Sequence, residues 1–258
     1  MTVKTENPMV FLFGGLLGAI LLLLPAIEYH NDIDIPLVGW PLAVLAQGAT
    51  YLAVFFHEIG HAVAGWFYGY ISVPYFDFSD GGGMTAQLGE QRPVLFVLTY
   101  ILLAYGAFLF FREKILIGGL AALALLHVTT AYNDAHQVVF LFAGHGTEIL
   151  IGSFMLFRAA FNAAPRGKVE RFLNALFGFY FLLSILRMTY RLMTSDVERA
   201  VYARQKGGAH FGDFDRIADY LATDIQHVAF FTLVLCGIFL VLPLLCYFVI
   251  LTKARFEY

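Results

Sequence analysis

The sequence predicts an all-α polytopic membrane protein with six or seven transmembrane helices and a short extended or hairpin segment after the second. Three observations predict it. Of the 258 residues, 60% are hydrophobic and 14% charged, whereas soluble domains average about 45–50% apolar and about 25% charged. There is too little polar surface to cover a water-exposed body of this size. The apolar residues fall into long runs, close to the ~20 residues a helix needs to cross a bilayer core of about 30 Å. Between the second and third runs, a stretch rich in aromatics, acids and glycines breaks the pattern.

Taken in order, residues 9–27 form the first run, preceded by Lys4. The run exceeds the ~7–15 residues of a signal-peptide core, and no small-x-small cleavage site follows, so it reads as a retained span. An acidic loop over 28–40 carries His30, Asp32 and Asp34 without any Lys or Arg. The second run, 41–70, contains His57, Glu58 and His61. Over 71–92, Tyr75, Phe76 and Phe78 alternate with Asp77 and Asp80 before Gly81, Gly82 and Gly83, which reads as a hairpin turning on the glycines. Further spans fall at 93–111, 115–132, 138–158, 172–190 and 228–251, all helical because lipid offers no partner for backbone polar groups.

The polar stretch 191–227 predicts two short surface helices. Ser195 with Glu198 and Thr223 with Gln226 have capping-box spacing, and Gly207-Gly208 stops the first helix. Residues 1–258 read as one membrane-embedded domain, integral and multi-pass, in a bacterial-type inner (plasma) membrane. Basic residues cluster at 112–114, 158–171, 199–216 and 253–255, and no simple up-and-down count places all four on one side. A net charge of −3 leaves no basic footprint for nucleic acid. Cys236 and Cys246 are about 15 Å apart along a helix, beyond disulfide reach.

His57-Glu58-Ile59-Gly60-His61 carries the chemistry. On a helix, residues i and i+4 share a face, so both imidazoles reach one metal ion, while Glu58 projects about 100° away and can act on a water instead. That division of labour is the chemistry of a zinc hydrolase. With eight His and nine Glu in the chain, composition alone yields about 0.01 chance matches. A charge at mid-bilayer costs on the order of 2.5–3.5 kcal/mol on insertion scales, so three such side chains within five residues demand a compensating role.

The stretch Phe56-His57-Glu58-Ile59-Gly60-His61-Ala62-Val63-Ala64-Gly65 resembles the active-site helix of the site-2 protease family of intramembrane zinc metalloproteases. Gly60, Ala64 and Gly65 suit close packing by neighbouring helices, and the segment 80–85 is similar to a glycine-rich loop that follows the motif in some relatives. The resemblance implies a Zn2+ cofactor on His57 and His61, with Glu58 as catalytic base. It also implies a third ligand from the Asp of an Asp-Gly pair after an Asn-x-x-Pro segment. Here the pattern departs: no Asp-Gly follows Asn162-Ala163-Ala164-Pro165, and Asp80-Gly81 precedes it.

The fifth span supplies other candidates. His145 and Glu148 lie at i and i+3 on one face of an apolar helix, so either could complete the zinc shell while the other orients it. Asp134 and His136 read as an interfacial turn, His127 as a bonded interior histidine or a substrate-path residue, and Arg187 as snorkelling to the interface. His30, His210 and His227 read as solvated. Thr50, Tyr51, Asp134 and Thr147 are expected to line a polar cavity that admits water.

The expected reaction is hydrolysis of peptide bonds in membrane-protein or peptide substrates within or beside the lipid bilayer, with 71–87 as an edge for strand addition or a gate. Two other classes fit less well. A di-iron oxygenase or desaturase needs several clustered histidine boxes, and only one formal box is present. A transporter or scaffold with a structural metal would not need Glu58.

Overall fold

The computed structural model describes residues 8–31, 36–77, 82–161, 167–205 and 212–256. Lys4, Asp32, Asp34, Asp80, Asn162-Ala163-Ala164-Pro165, Gly207, Gly208, His210 and the side chain of His30 lie outside the described residues. In chain order the elements are α1 (Pro8–Asn31), α2 (Pro36–Phe67), β1 (Ile71–Asp77), β2 (Gly82–Leu88), α3 (Pro93–Leu109), α4 (Lys114–Thr130), α5 (Ala135–Phe161), α6 (Lys168–Thr194), α7 (Asp196–Gln205), α8 (Asp213–Tyr220) and α9 (Ile225–Phe256).

A helix occupies each of the seven expected apolar segments. Among the described residues, four helices, within α2, α5, α6 and α9, are long and apolar enough to cross a membrane. The apolar Met9–Leu23 part of α1 and the 17-residue α3 and α4 are shorter. At 1.5 Å per residue, 17 residues cover about 26 Å. Large apolar side chains face outward: Val94, Phe108, Phe111, Ile115, Leu125, Phe231 and Phe248 are exposed. Such surfaces suit a hydrocarbon solvent and not water.

Helix α6 is the central post, packed against α1, α5 and α9. Small residues bring it close to its neighbours, as van der Waals packing in lipid favours. A Cβ on Gly14 or Gly18 of α1 would meet Ala175 Cβ at 2.7 Å or Leu176 O at 2.8 Å. Between α5 and α6, a Cβ on Gly178 would lie 2.9 Å from Gly152 O. Phe181, Leu182 and Ile185 are sealed inside this bundle.

Helix α2 starts at Pro36, earlier than the expected span, and stops at Phe67. Its stop is a Schellman closure: Tyr70 N–H donates to Gly65 O at 2.8 Å and Gly69 N–H to Trp66 O at 3.0 Å, with Gly69 at φ +83°. The carbonyl of Phe67, left over at that end, accepts from Thr99 Oγ1 at 3.2 Å and from His127 Nε2 at 2.9 Å. His127 is fully buried, its Nδ1 meeting the Tyr100 hydroxyl at 2.8 Å. It is a bonded interior histidine that ties α3 and α4 to the end of α2.

The expected hairpin is present. β1 and β2 pair antiparallel from Ile71 opposite Leu88 to Asp77 opposite Gly82. Gly82 and Gly83 belong to strand β2. One hairpin face lies on α2, where a Cβ on Gly65 would sit 1.9 Å from Ser72 Oγ. Ile71, Val73, Tyr75, Met84 and Leu88 remain exposed.

Both helices expected in the polar stretch form, and Ser195 Oγ accepts the Glu198 N–H at 3.2 Å as its spacing predicts. Thr223 instead contacts His227 Nδ1 at 3.1 Å. α8 is an amphipathic helix that docks one face and leaves Tyr220 exposed on the other. Phe214, Ile217 and Ala218, at i, i+3 and i+4, form a buried stripe against α5 and α9. Arg187 donates to Leu22 O of α1 at 2.5 Å. Cys236 and Cys246 are free thiols.

Candidate metal centre and its cavity

His57 and His61 point from one face of α2 toward α5, which approaches closely because two glycines meet there. A Cβ on Gly60 would lie 2.3 Å from Ala143 O, and one on Gly144 would lie 2.5 Å from His61 Nε2 and 2.7 Å from His57 Nε2. Any side chain at position 144 would fill the space beside the two imidazoles.

The two Nε2 atoms are 3.0 Å apart. A third donor joins them from α8: Asp213 Oδ2 lies 3.1 Å from His57 Nε2 and 3.3 Å from His61 Nε2. Tetrahedral zinc with ligands at about 2.0–2.1 Å spaces them about 3.3–3.4 Å apart. The chemistry of the set, two imidazole nitrogens and a carboxylate oxygen, and its near-tetrahedral spacing both fit a divalent metal ion.

The opposite ring nitrogens are already engaged. His57 Nδ1–H donates to Glu148 Oε1 at 2.6 Å, and His61 Nδ1–H donates to Phe140 O at 2.8 Å. Bonds of this kind fix the tautomer that leaves Nε2 free to ligate and orient the ring. His145 Nδ1–H also donates to Glu148 Oε1, at 3.1 Å.

This arrangement separates the roles expected of the fifth-span pair. His57, His145 and Glu148 lie close enough to form a second possible metal group. The contact between His57 Nδ1 and Glu148 Oε1, however, is hydrogen-bond length and shorter than a tetrahedral ligand spacing. Glu148 is therefore set to orient His57 from behind. His145 packs its ring against His57, with centroids 4.5 Å apart, and stacks on Phe214 at 4.8 Å.

Asp213 is the residue that sequence reasoning missed. It lies 152 positions beyond His61, in a polar stretch where an acid attracts no notice. The available signal was the apolar stripe that follows it, which marks α8 as a docked helix.

Glu58 points to the side, as its helix position predicts, and is held by β2. Thr85 Oγ1 lies 2.7 Å from Glu58 Oε2 and 3.0 Å from Glu58 O, donating to both. A Cβ on Gly83 would meet Glu58 Cγ at 2.5 Å. The hairpin thus touches the expected catalytic base directly. His57, Glu58, His145 and Glu148 share a cavity of about 270 Å3 with Thr50, Gly82, Gly83, Tyr180 and Ser184. Of the residues expected to line it, Thr50 does so, bonded to the Tyr180 hydroxyl at 2.7 Å. Thr147 packs on Gly60 instead, and Tyr51 and Asp134 lie elsewhere. His136 sits at the α5 start, bonded to the Tyr70 hydroxyl at 2.9 Å. His227 is exposed beside Asp224.

A scan against protein-family models found no match to this chain, and neither did a search of curated proteins or of solved structures.

Proposed function

We propose that this protein is an intramembrane zinc metalloprotease that hydrolyses peptide bonds of membrane-embedded or membrane-proximal polypeptides, crossing an inner (plasma) membrane six or seven times. The observation that carries the reading is the triangle of His57 Nε2, His61 Nε2 and Asp213 Oδ2, with sides of 3.0–3.3 Å, together with an independently held Glu58 that lines a cavity with His57. His57, His61 and Asp213 would hold the ion. When bound, zinc supplies Lewis acidity, polarising a carbonyl and acidifying water.

The chain's own residues supply the rest. Glu58 accepts a proton from the attacking water and returns it to the departing amine. Thr85 and Gly83 fix its carboxylate, and Glu148 keeps His57 in the ligating tautomer. A helical substrate hides its carbonyls in internal hydrogen bonds and must be unwound before attack. The hairpin at 71–88 supports this step, because β2 reaches the cavity and a free strand edge can pair with an extended peptide.

The test uses purified protein in proteoliposomes with single-span test polypeptides. About one zinc per chain is expected, and Glu58→Gln should keep that zinc while lowering cleavage about 10²–10⁴-fold, the worth of a general base. Unchanged cleavage in Glu58→Gln, or two irons in place of zinc, overturns the proposal.

A further inference from the structure

The proposed third ligand rides on the first turn of a short helix, and that turn lacks the usual cap. Position 212, at the N-cap of α8, is glycine, and no side chain there accepts a backbone N–H. Ser, Thr, Asp or Asn normally fill that position, because the first turn leaves donors without intrahelical partners. In this protein the acceptor arrives from another helix. Tyr202 of α7 places its hydroxyl oxygen 3.3 Å from the Phe214 N–H, and the same oxygen takes the Asp213 N–H.

Gly212 and Tyr202 fit only as a pair. A Cβ on Gly212 would lie 2.5 Å from Tyr202 Cε1 and 2.6 Å from its hydroxyl oxygen. The tyrosine therefore occupies the place where a conventional capping side chain would begin. Tyr202 is buried, with its ring 6.2 Å from that of Phe214, and Phe214 in turn stacks on His145. Burial also raises the Tyr202 hydroxyl above its usual range, with Asp213 adding to the rise, so it stays neutral.

We infer that Tyr202 is a positioning residue for the metal centre, its hydroxyl capping α8 from α7 so that Asp213 Oδ2 stands beside the Nε2 atoms of His57 and His61. The inference rests on the metal-site reading above, and its predictions concern metal binding, not cleavage. α7 carries no ligand itself, yet the geometry of the third ligand depends on it. Loss of the hydroxyl leaves two N–H donors of the turn without an acceptor while the ring packing stays in place.

The test titrates the detergent-solubilised full chain with zinc against a competing chelator, and with cobalt as a spectroscopic stand-in. Tyr202→Phe should weaken zinc binding about tenfold, the lower end of the 10–100-fold range for groups that orient ligands. It should also change the cobalt visible bands while the metal-free melting temperature stays near wild type. Tyr202→Ala should weaken zinc further, and adding Gly212→Ser, which supplies a cap from its own chain in the vacated space, should recover most of that loss. Zinc affinity of Tyr202→Phe within twofold of wild type, or no recovery on adding Gly212→Ser, overturns the inference. Asp213→Ala is the separate control. If it binds zinc like wild type, the metal-site reading itself fails, whatever Tyr202 does.

Discussion

The assignment of Asp213 over Glu148 as the third ligand yields a quantitative contrast. Asp213 Oδ2 lies 3.1 and 3.3 Å from the two Nε2 atoms, whereas Glu148 touches only the opposite nitrogen of His57. Structural zinc sites bind with about 10–16 kcal/mol through four ligands, or roughly 2.5–4 kcal/mol each. Each 1.4 kcal/mol is a factor of ten, so Asp213→Ala should weaken zinc by about 10²–10³-fold. Glu148→Gln keeps an acceptor oxygen near His57 Nδ1 but loses the charge that two imidazole N–H groups share, so about tenfold is expected. Competition titration with a zinc-responsive dye measures both variants in the same detergent. A larger loss in Glu148→Gln than in Asp213→Ala would refute the reasoning and move the metal to the His57, His145 and Glu148 group.

Two more predictions follow from close contacts. Gly83→Ala places a methyl 2.5 Å from Glu58 Cγ and 2.7 Å from its Oε1. The flexible glutamate must yield, and misplacement by about 1 Å costs on the order of 10²-fold in rate. Cleavage of a single-span test polypeptide should fall by that factor with zinc content and melting temperature unchanged, and full activity would show that the hairpin does not set Glu58. Gly60→Ala instead drives a methyl to 2.3 Å from the Ala143 carbonyl, where backbone must move. Overpacking of this kind costs about 1–3 kcal/mol, so thermal unfolding in detergent should occur several degrees lower, and an unchanged midpoint would deny the close α2–α5 contact.

Local signals were enough for much of the fold and part of the site. The apolar runs locate all seven long helices, because insertion in lipid depends on composition over about 20 residues. The glycine-bounded segment reads as a hairpin, and Ser195 caps its helix as its spacing predicts. His57, Glu58 and His61 were legible because their relation is set by one helix turn. His145 and Glu148 stood out because ionisable groups in an apolar span are costly.

What the sequence by itself determined, then, is the lipid solvent, the helical segments and two metal-competent imidazoles with a carboxylate beside them. Only the tertiary structure decided which acids come to stand beside that set. Asp213 is indistinguishable from other surface acids until the apolar stripe of α8 docks on α5 and α9, and Glu148 becomes a brace for His57 only when α5 lies against α2. Both outcomes depend on contacts between residues far apart in the chain, which local periodicity and spacing do not encode, and on the missing side chains at Gly60 and Gly144 that let two helices approach.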